Sequence, residues 1–404
     1  MATLGEKIKA LRKEKRLTQT QLAGSELTKS MLSQIENGKA TPSMKTLQYL
    51  ASQLECEASF LLEEDNEEVT KLIPKMEQAI KNNQFEEAYR TLLPIVQKEL
   101  PPTLSTARLY KQFISVAFNM KDYSIHSYIE KAVEIFQKYT LYRESTQTSL
   151  KLCYVLFVHK KYKECLELLT SIRKEYEAKQ LEMDLIIQIE LFLCEAIVLL
   201  AYSDYEGCEK IILQALDFSK ENQVYYKTDE FYRILSYQNV IVADENKYLH
   251  YIKKSEQFAV FTENILSIAI IDILKAYYYN TITNEYTLAL KHLDLFRTKL
   301  QDKPLFQEDG VYYLEKGKAL YGLKRYEAAL ETLQQATIPD YMFHPLDQAW
   351  IITGGAYRAL CYMELKNKQK ALQEATEAFH AIQEFPDSTF TVFIKETLQI
   401  IQKL

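Results

Sequence analysis

Glycine and proline are scarce in this chain, each occurring nine times in 404 residues. Together with 26% charged residues, this composition favours an all-helical protein with short connections. The length and the 47% hydrophobic content allow substantial cores and exceed what one ordinary domain needs.

Paired cysteines and long apolar runs are also missing. The six cysteines are scattered without paired spacing, mostly on apolar helix faces, and are interpreted as reduced core residues of a cytoplasmic protein. Lysine and arginine interrupt every apolar run near the N-terminus, so we expect no signal sequence. The most apolar segment, residues 185–201, contains Gln188, Glu190 and Glu195, which indicates a buried helix rather than a membrane span.

The sequence shows no catalytic or metal-binding pattern. It has no glycine-rich phosphate loop, no histidines or cysteines at ligand spacing, and six dispersed histidines. Gly354 and Gly355 fall inside a helical pattern and indicate close helix packing rather than a phosphate site. We therefore expect no enzyme, no cofactor and no metal.

Helix start and stop signals are concentrated between Leu4 and Leu54. Thr18 and Gln21 have capping-box spacing, Thr28 can cap the next helix, and Gly38 can end it. Thr41-Pro42 then predicts a cap and a first-turn proline for a fourth helix. The expected core residues are Leu11, Leu22, Ala23, Met31 or Leu32, Ile35, Leu47, Leu50 and Leu54. Two short helices joined by a tight connection predict a helix-turn-helix.

This segment resembles the phage-repressor-like (XRE, Cro/C1-type) helix-turn-helix family over residues 4 to about 62. The matching positions are Gly5, Ile8, Leu11, Arg12, Thr18, Gln19, Leu22, Ala23, Ser33, Ile35, Glu36, Asn37, Gly38, Pro42, Leu47, Ala51 and Leu54. The resemblance implies a five-helix DNA-binding domain whose second motif helix enters the major groove, and dimers on operator half-sites.

The same resemblance implies which residues touch DNA. Base edges are expected to meet the start of the recognition helix and its neighbour, at Gln19, Lys29, Ser30 and Gln34. Lysine donates to guanine, and glutamine pairs with adenine through two hydrogen bonds. Phosphates are expected at a helix N-terminus flanked by Lys39, Ser43 and Lys45. Each of these residues could instead be a solvated helix residue.

This domain and the remainder of the chain carry net charges of opposite sign. Residues 1–62 carry a net charge of +3, whereas the whole chain carries −6, so the remainder is −9. DNA affinity should thus be local to the first domain. The acidic run Glu63–Glu68 marks the boundary, which we place between residues 1–64 and 65–404.

Beyond residue 70 an aromatic residue recurs in a polar turn, with a usually small residue three positions later. The spacing between these anchors is 38 to 43 residues. The pairs are Phe85 with Ala88, Tyr123 with His126, Tyr162 with Cys165, Tyr205 with Cys208, Tyr248 with Tyr251, Tyr286 with Ala289, Tyr326 with Ala329, and Lys368 with Ala371. The pattern predicts about eight helical hairpins in a solenoid, capped by a helix near Thr389 to Leu404. An irregular helical bundle is the alternative.

The unit around Gly317 to Leu330 resembles a tetratricopeptide repeat, which implies a right-handed helical solenoid. The combination with a repressor-type domain resembles the peptide-pheromone-responsive regulators of the Rap, NprR, PlcR and PrgX group. NprR-like or PlcR-like regulators are nearest, since Rap proteins begin with a different helical bundle. The resemblance implies a cytoplasmic, quorum-sensing transcription regulator that binds operator DNA and a short imported peptide, forms a homodimer or higher oligomer, and does not bind membranes.

A solenoid groove suits an extended peptide, because side-chain amides bind its backbone and tyrosines contact its side chains. The candidate peptide-binding residues are Gln238, Asn239, Tyr278, Asn280 and Lys318. Each could equally be an interhelix polar residue. The alternative function is a protein-interaction adapter that sequesters a response regulator, with DNA binding secondary.

Overall fold

The computed structural model describes residues 3–56, 58, 61, 67–139, 141–301 and 310–403. Throughout these residues the regular structure is helical and contains no strand. The predicted all-α fold class is confirmed.

In the described part of the N-terminal domain four short helices have defined bounds: α1 (Leu4–Glu14), α2 (Gln19–Ala23), α3 (Lys29–Glu36) and α4 (Met44–Gln53). Thr18 with Gln21 forms the predicted capping box, and Thr28 caps α3. The prediction for α4 was wrong: Ser43 is its N-cap, so Thr41 and Pro42 precede the helix. The predicted fifth helix and the boundary at residues 64 and 65 fall largely outside the described residues.

The buried apolar residues of these four helices follow the helical spacing seen in the sequence. Ile8, Leu22, Leu32, Ile35 and Leu50 are each at most 1% exposed. The alternative of Met31 or Leu32 is resolved in favour of Leu32, because Met31 is 45% exposed. Gly38 follows the C-cap residue Asn37 and has φ +70°, the left-handed backbone predicted for the residue that ends this helix.

Eight helical hairpins follow in the described part of the chain. Their helices are α5 (Glu67–Lys81) with α6 (Phe85–Val96), α7 (Leu104–Asn119) with α8 (His126–Lys138), α9 (Tyr142–Val158) with α10 (Tyr162–Ala178), α11 (Leu185–Ala201) with α12 (Tyr205–Glu221), α13 (Thr228–Ile241) with α14 (Glu245–Phe261), α15 (Ile265–Tyr278) with α16 (Tyr286–Lys299), α17 (Gly310–Gly322) with α18 (Tyr326–Leu333), and α19 (Pro345–Glu364) with α20 (Lys368–Ala381). A last helix, α21 (Thr389–Lys403), packs on the eighth hairpin.

Six of the eight sequence anchors are the first residue of the second hairpin helix. The other two were misplaced by three residues. Helix α8 begins at His126 rather than Tyr123, after a turn in which Asp122 accepts from the Ser124 amide. Helix α14 begins at Glu245 rather than Tyr248, because Asp244 caps it by accepting from the Lys247 amide.

In all eight hairpins, the residue three positions after the first residue of the second helix is buried. These residues are Ala88, Ile129, Cys165, Cys208, Tyr248, Ala289, Ala329 and Ala371, none more than 1% exposed. A small residue there lets the paired helices approach closely. Tyr248 is accommodated differently: its ring stacks on Tyr278 with centroids 4.8 Å apart, and its hydroxyl donates to the Leu274 carbonyl.

The scarcity of glycine is explained by the hairpin turns. Each turn contains one residue in the left-handed region, and none of them is glycine: Asn83, Lys121, Lys160, Ser203, Ala243, Asn284, Lys324 and Lys366. A Cβ destabilises left-handed backbone, so every hairpin turn is less stable than it would be with glycine.

The chain divides into two compact units. The first comprises Met1–Glu164 and Thr170–Ile187, and the second comprises Cys165–Leu169 and Gln188–Leu404. Among the residues that the structure describes, one helical stretch, Ile265–Thr283, is long and apolar enough to cross a membrane, but slightly more than half of it is buried inside the protein, as in a core helix. The six cysteines are free, and four of them are buried.

Candidate nucleic-acid and ligand-binding sites

The helix-turn-helix is held together by a buried carboxylate. The Glu36 side chain is fully buried and accepts hydrogen bonds from Arg12 Nε at 2.5 Å, Arg12 Nη2 at 3.0 Å and Gln19 Nε2 at 2.8 Å. Burial by itself raises the pKa of Glu36, but the bonds from Arg12 and Gln19 outweigh it and leave that pKa below its ordinary value. The contacts fix α1, α2 and the end of α3 in one arrangement.

Two glycines allow the close approaches that this arrangement needs. A Cβ on Gly5 would lie 2.1 Å from the Ile35 carbonyl oxygen, so α1 can cross α3 only with glycine at that position. Gly24 has φ +53° and ψ −137°, which side-chain-bearing residues avoid, and a Cβ there would lie 2.1 Å from the Tyr49 hydroxyl. The motif geometry therefore depends on both residues.

The recognition helix presents its polar side chains to solvent. Lys29 and Ser30 are the first two residues of α3, and both are exposed, as is Gln34 one turn later. Gln19 differs from them, because its amide group is bound to Glu36 and the residue is only half exposed. The first three side chains are free to reach a groove, whereas Gln19 also supports the motif.

Sequence reasoning missed Met31. Its exposed side chain lies beside Lys29 and Ser30 at the start of α3, and an apolar group there can contact a thymine methyl. The signal was present in the register, since Leu32, Ile35 and Glu36 define the buried stripe and place Met31 outside it.

The predicted phosphate site lies at the start of α4. Lys39, Ser43 and Lys45 are exposed. The Ser43 hydroxyl accepts from the Thr46 amide at 3.1 Å, which leaves the earlier amides of the helix pointing outward. With two lysines nearby, this helix end can hold a phosphate.

Asn280 and Lys318, two of the predicted peptide-binding residues, meet at Glu315 in the second unit. Asn280 Nδ2 donates to the Glu315 carbonyl and to its Oε2, each at 2.8 Å, and Lys318 Nζ donates to Oε1 at 2.8 Å. Trp350 Nε1 donates to the same Oε1 at 2.8 Å. We call Asn280, Glu315, Lys318 and Trp350 the Glu315 cluster. All four are at most 5% exposed.

A π-helical turn at the end of α15 brings Asn280 to this position. The turn, Tyr279–Thr283, also carries Thr281, whose hydroxyl accepts from Lys318 Nζ at 3.0 Å. Burial lowers the pKa of Lys318, and Glu315 offsets part of that effect. Turns of this kind often occur at functional sites.

The other three predicted residues do not join the cluster. Gln238 Nε2 donates to the Tyr205 carbonyl at 2.7 Å, and Asn239 Nδ2 donates within its own helix to Leu235 at 2.8 Å. The Tyr278 hydroxyl donates to Glu245. These side chains are buried as well, between neighbouring hairpins.

Three buried side-chain amide oxygens have no hydrogen-bond donor among the described residues: Gln112 Oε1, Gln238 Oε1 and Asn280 Oδ1. The last two belong to predicted peptide-binding residues. A buried acceptor without a donor is costly, so each needs a specific explanation.

An aromatic layer adjoins the cluster and was not predicted. The Trp350 ring lies 5.6 Å from Tyr237, 5.1 Å from Tyr277 and 6.0 Å from Phe390, centroid to centroid. Lys318 Nζ lies 4.5 Å from the Tyr277 centroid. Only the single tryptophan could have drawn attention to this layer from the sequence.

Comparisons with known proteins found similarities for both parts of the chain. The helix-turn-helix family model matches residues 8–61. The immunity repressor protein of Bacillus phage phi105 is 35% identical over 99 residues, which are 24% of this chain and 65% of the repressor. The chain thus spans less than two thirds of the length of that relative.

Two solved structures share the fold of the repeats. The apo form of RapI superposes with a TM-score of 0.52 at 15% identity, covering 67% of this chain and 96% of RapI. NprR in complex with its cognate peptide NprX gives 0.50 at 13% identity, covering 64% of this chain and 72% of NprR. The chain therefore joins an XRE-type helix-turn-helix domain to tetratricopeptide-like helical repeats with the fold of RapI and NprR.

Proposed function

We propose that this protein is a sequence-specific DNA-binding transcription regulator, gated by a short signalling peptide that the repeat domain binds. Its place of action is the cytoplasm, and it works as a homodimer or higher oligomer, because one small helix-turn-helix domain offers too little contact area for tight operator binding. The observation that carries the proposal is the free polar start of α3 on a rigid repressor-type motif.

The DNA contacts divide into two classes with different signatures. Lys29→Ala and Gln34→Ala should each weaken specific binding by about 1–3 kcal/mol and relax preference at one base pair. Lys39→Ala and Lys45→Ala should weaken binding to all sequences alike and flatten its salt dependence. Operators selected from random duplexes with the full-length protein, followed by titration of each variant at several salt concentrations, provide the test.

Glu14→Ala serves as the control, since Glu14 is exposed at the end of α1, a helix that carries none of the proposed DNA contacts. Footprinting in which the full-length protein shows no sequence preference would rule out the DNA-binding proposal.

Peptide binding is supported by the buried amide oxygens of Gln238 and Asn280. A peptide backbone supplies N–H groups, the donors that Gln238 Oε1 and Asn280 Oδ1 lack. That NprR, which shares the fold, is in complex with a peptide agrees with this proposal.

Calorimetry with a cognate peptide tests the assignment. Asn239→Ala and Asn280→Ala should weaken peptide affinity. Asn222→Ala should not, because Asn222 is the exposed C-cap of α12 and its side chain donates to the Phe218 carbonyl of the same helix. A peptide whose affinity is unchanged by both substitutions would place its site elsewhere. A stoichiometric response-regulator partner recovered from cells, without any peptide, would favour the adapter function instead.

A further inference from the structure

Three hydrogen bonds inside the second unit join segments that are far apart in sequence. They connect the segments at the starts of α19 and α21 with the fourth and fifth hairpins. The pairs are His344 Nε2 with the Ile197 carbonyl oxygen at 3.3 Å, Ser203 Oγ with the Asp387 carbonyl oxygen at 3.2 Å, and Thr389 Oγ1 with the Ile241 carbonyl oxygen at 2.9 Å. The partners in each pair are 147 to 184 residues apart. We call these three contacts the clasp.

Next to the clasp, aromatic rings of α19 and α21 pack on the fifth and sixth hairpins. The Phe390 ring lies 6.0 Å from both Trp350 and Tyr277, centroid to centroid. The Trp350 ring in turn lies 5.6 Å from Tyr237. All four rings are at most 8% exposed. Helices α13 and α15 are therefore covered by α19 and by the start of α21.

The covered helices carry two predicted peptide-binding residues whose amide oxygens lack a donor among the described residues. Gln238 lies in α13 and Asn280 in the π-helical turn after α15, and they are only 3% and 5% exposed. Because both side chains are buried, a peptide can donate to these oxygens only after the covering segments have moved away.

The clasp is a contact that can open on its own. Two of its three bonds come from hydroxyl groups, and Asp387 and Thr389 are exposed, so water competes for the same partners. The hairpins themselves are held by helix packing between neighbours in sequence, which an open clasp leaves in place. Opening also separates Phe390 from Tyr277, and binding of a ligand has to offset that cost.

We propose that the clasp is an autoinhibitory closure of the second unit, and that the signalling peptide reaches Gln238 and Asn280 only while the clasp is open. This inference rests on the proposed peptide gating and names the contact that the peptide has to displace. The apparent affinity for peptide is then lower than the intrinsic affinity by the fraction of molecules with an open clasp. Fixing the clasp should weaken peptide binding, and loosening it should strengthen peptide binding.

A reversible cross-link tests the effect of fixing the clasp. The full-length protein carries Ser203→Cys and Asp387→Cys, which a short bis-methanethiosulfonate joins and a reducing agent releases. Cys56→Ala and Cys194→Ala remove the two native cysteines that are not buried. Heptapeptides selected from a random library on the native protein serve as probes, and they should bind the cross-linked form at least about tenfold more weakly than the released form. Because both forms are the same polypeptide, a folding defect cannot produce this difference.

A double variant tests the effect of loosening the clasp. Ser203→Ala with Thr389→Val removes two of the three bonds and should bind the same peptides about three- to tenfold more tightly. Acrylamide should quench the fluorescence of Trp350, the single tryptophan, more strongly in this variant than in the native protein. Thr376→Val is the matched control, because its hydroxyl donates to the Leu372 carbonyl within α20 and its loss should change neither affinity nor quenching.

The outcomes separate this inference from peptide gating. Equal peptide affinity of the cross-linked and released forms would overturn the inference and leave peptide gating intact. A double variant with native affinity and native quenching would overturn it as well. A library that yields no binder for either the native protein or the double variant would overturn peptide gating and this inference together.

Discussion

Replacing Glu36 with alanine should unfold the helix-turn-helix domain and abolish DNA binding. The side chain is fully buried, and its removal leaves the Arg12 guanidinium, only 11% exposed, without its carboxylate partner. Breaking a buried pair on one side costs about 3–5 kcal/mol. A domain of some fifty residues has a total stability of about 3–8 kcal/mol. The loss is therefore comparable to everything that keeps the domain folded.

The assay has to separate this domain from the repeats. Hydrogen exchange measured by mass spectrometry should show lost protection across α1 and α3 in Glu36→Ala. Trp350, the single tryptophan, lies in α19, so the fluorescence midpoint in urea reports on the second unit and should stay unchanged. Glu26→Ala, an exposed change in the same domain, should leave exchange as in the native protein.

A double-mutant cycle measures the interaction between Arg12 and Glu36. Arg12→Ala in the Glu36→Ala background should cost far less than Arg12→Ala alone, because the interaction is already lost. Independent, additive costs, or a loss of protection below about 1 kcal/mol in Glu36→Ala, would show that this ion pair does not hold the motif together.

Other expectations concern pH, turns and helix packing. The pKa of Glu36 is lower in the folded domain than its ordinary value of 4.5, so the stabilisation it gives at neutral pH should be lost as the pH falls from that value through the folded-state pKa; exchange in α3 measured against pH checks this. Ala243→Gly should raise the stability of the second unit by up to about 1 kcal/mol in urea titrations, because Ala243 has φ +59°. Gly317→Ala should cost about 1–3 kcal/mol, since the new Cβ would lie 2.4 Å from the Leu333 side chain. Gly354→Ala, with its nearest neighbour at 3.5 Å, should instead gain about 0.5–1 kcal/mol; equal effects at the two glycines would contradict the packing argument.

The helix-turn-helix could be predicted almost residue by residue, because its determinants are local. Caps such as Thr18 and Thr28 act on amides two or three residues away, and the buried stripe follows from helical spacing alone. The predicted start of α4 was wrong because Thr41, Pro42 and Ser43 can each begin a helix, and only the backbone path selects Ser43 as the N-cap.

In the repeats, local sequence patterns are not sufficient to predict the structure. Their number follows from periodicity, but the register of two hairpins was misjudged because a tyrosine in the sequence cannot reveal whether it precedes a helix or fills its buried position. Tyr248 fills that position only because Tyr278, from the next hairpin, offers a ring to stack on. Such a contact joins residues distant in sequence, and no local pattern encodes it.

The same limit applies to the predicted peptide site, and it bears on how a ligand could act there. Asn280, Glu315 and Trp350 lie about 35 residues apart from one to the next, one in each of three successive hairpins, and they share a single carboxylate. A ligand that donates to Asn280 Oδ1 would bind an amide whose nitrogen holds Glu315, and Glu315 in turn accepts from Lys318 and Trp350. Binding at one side chain would therefore act on contacts in three hairpins at once. The equilibrium shifts only as far as the ligand binds one arrangement of these hairpins more tightly than another. A shared carboxylate at the centre of several repeats is a physical means of making that difference large.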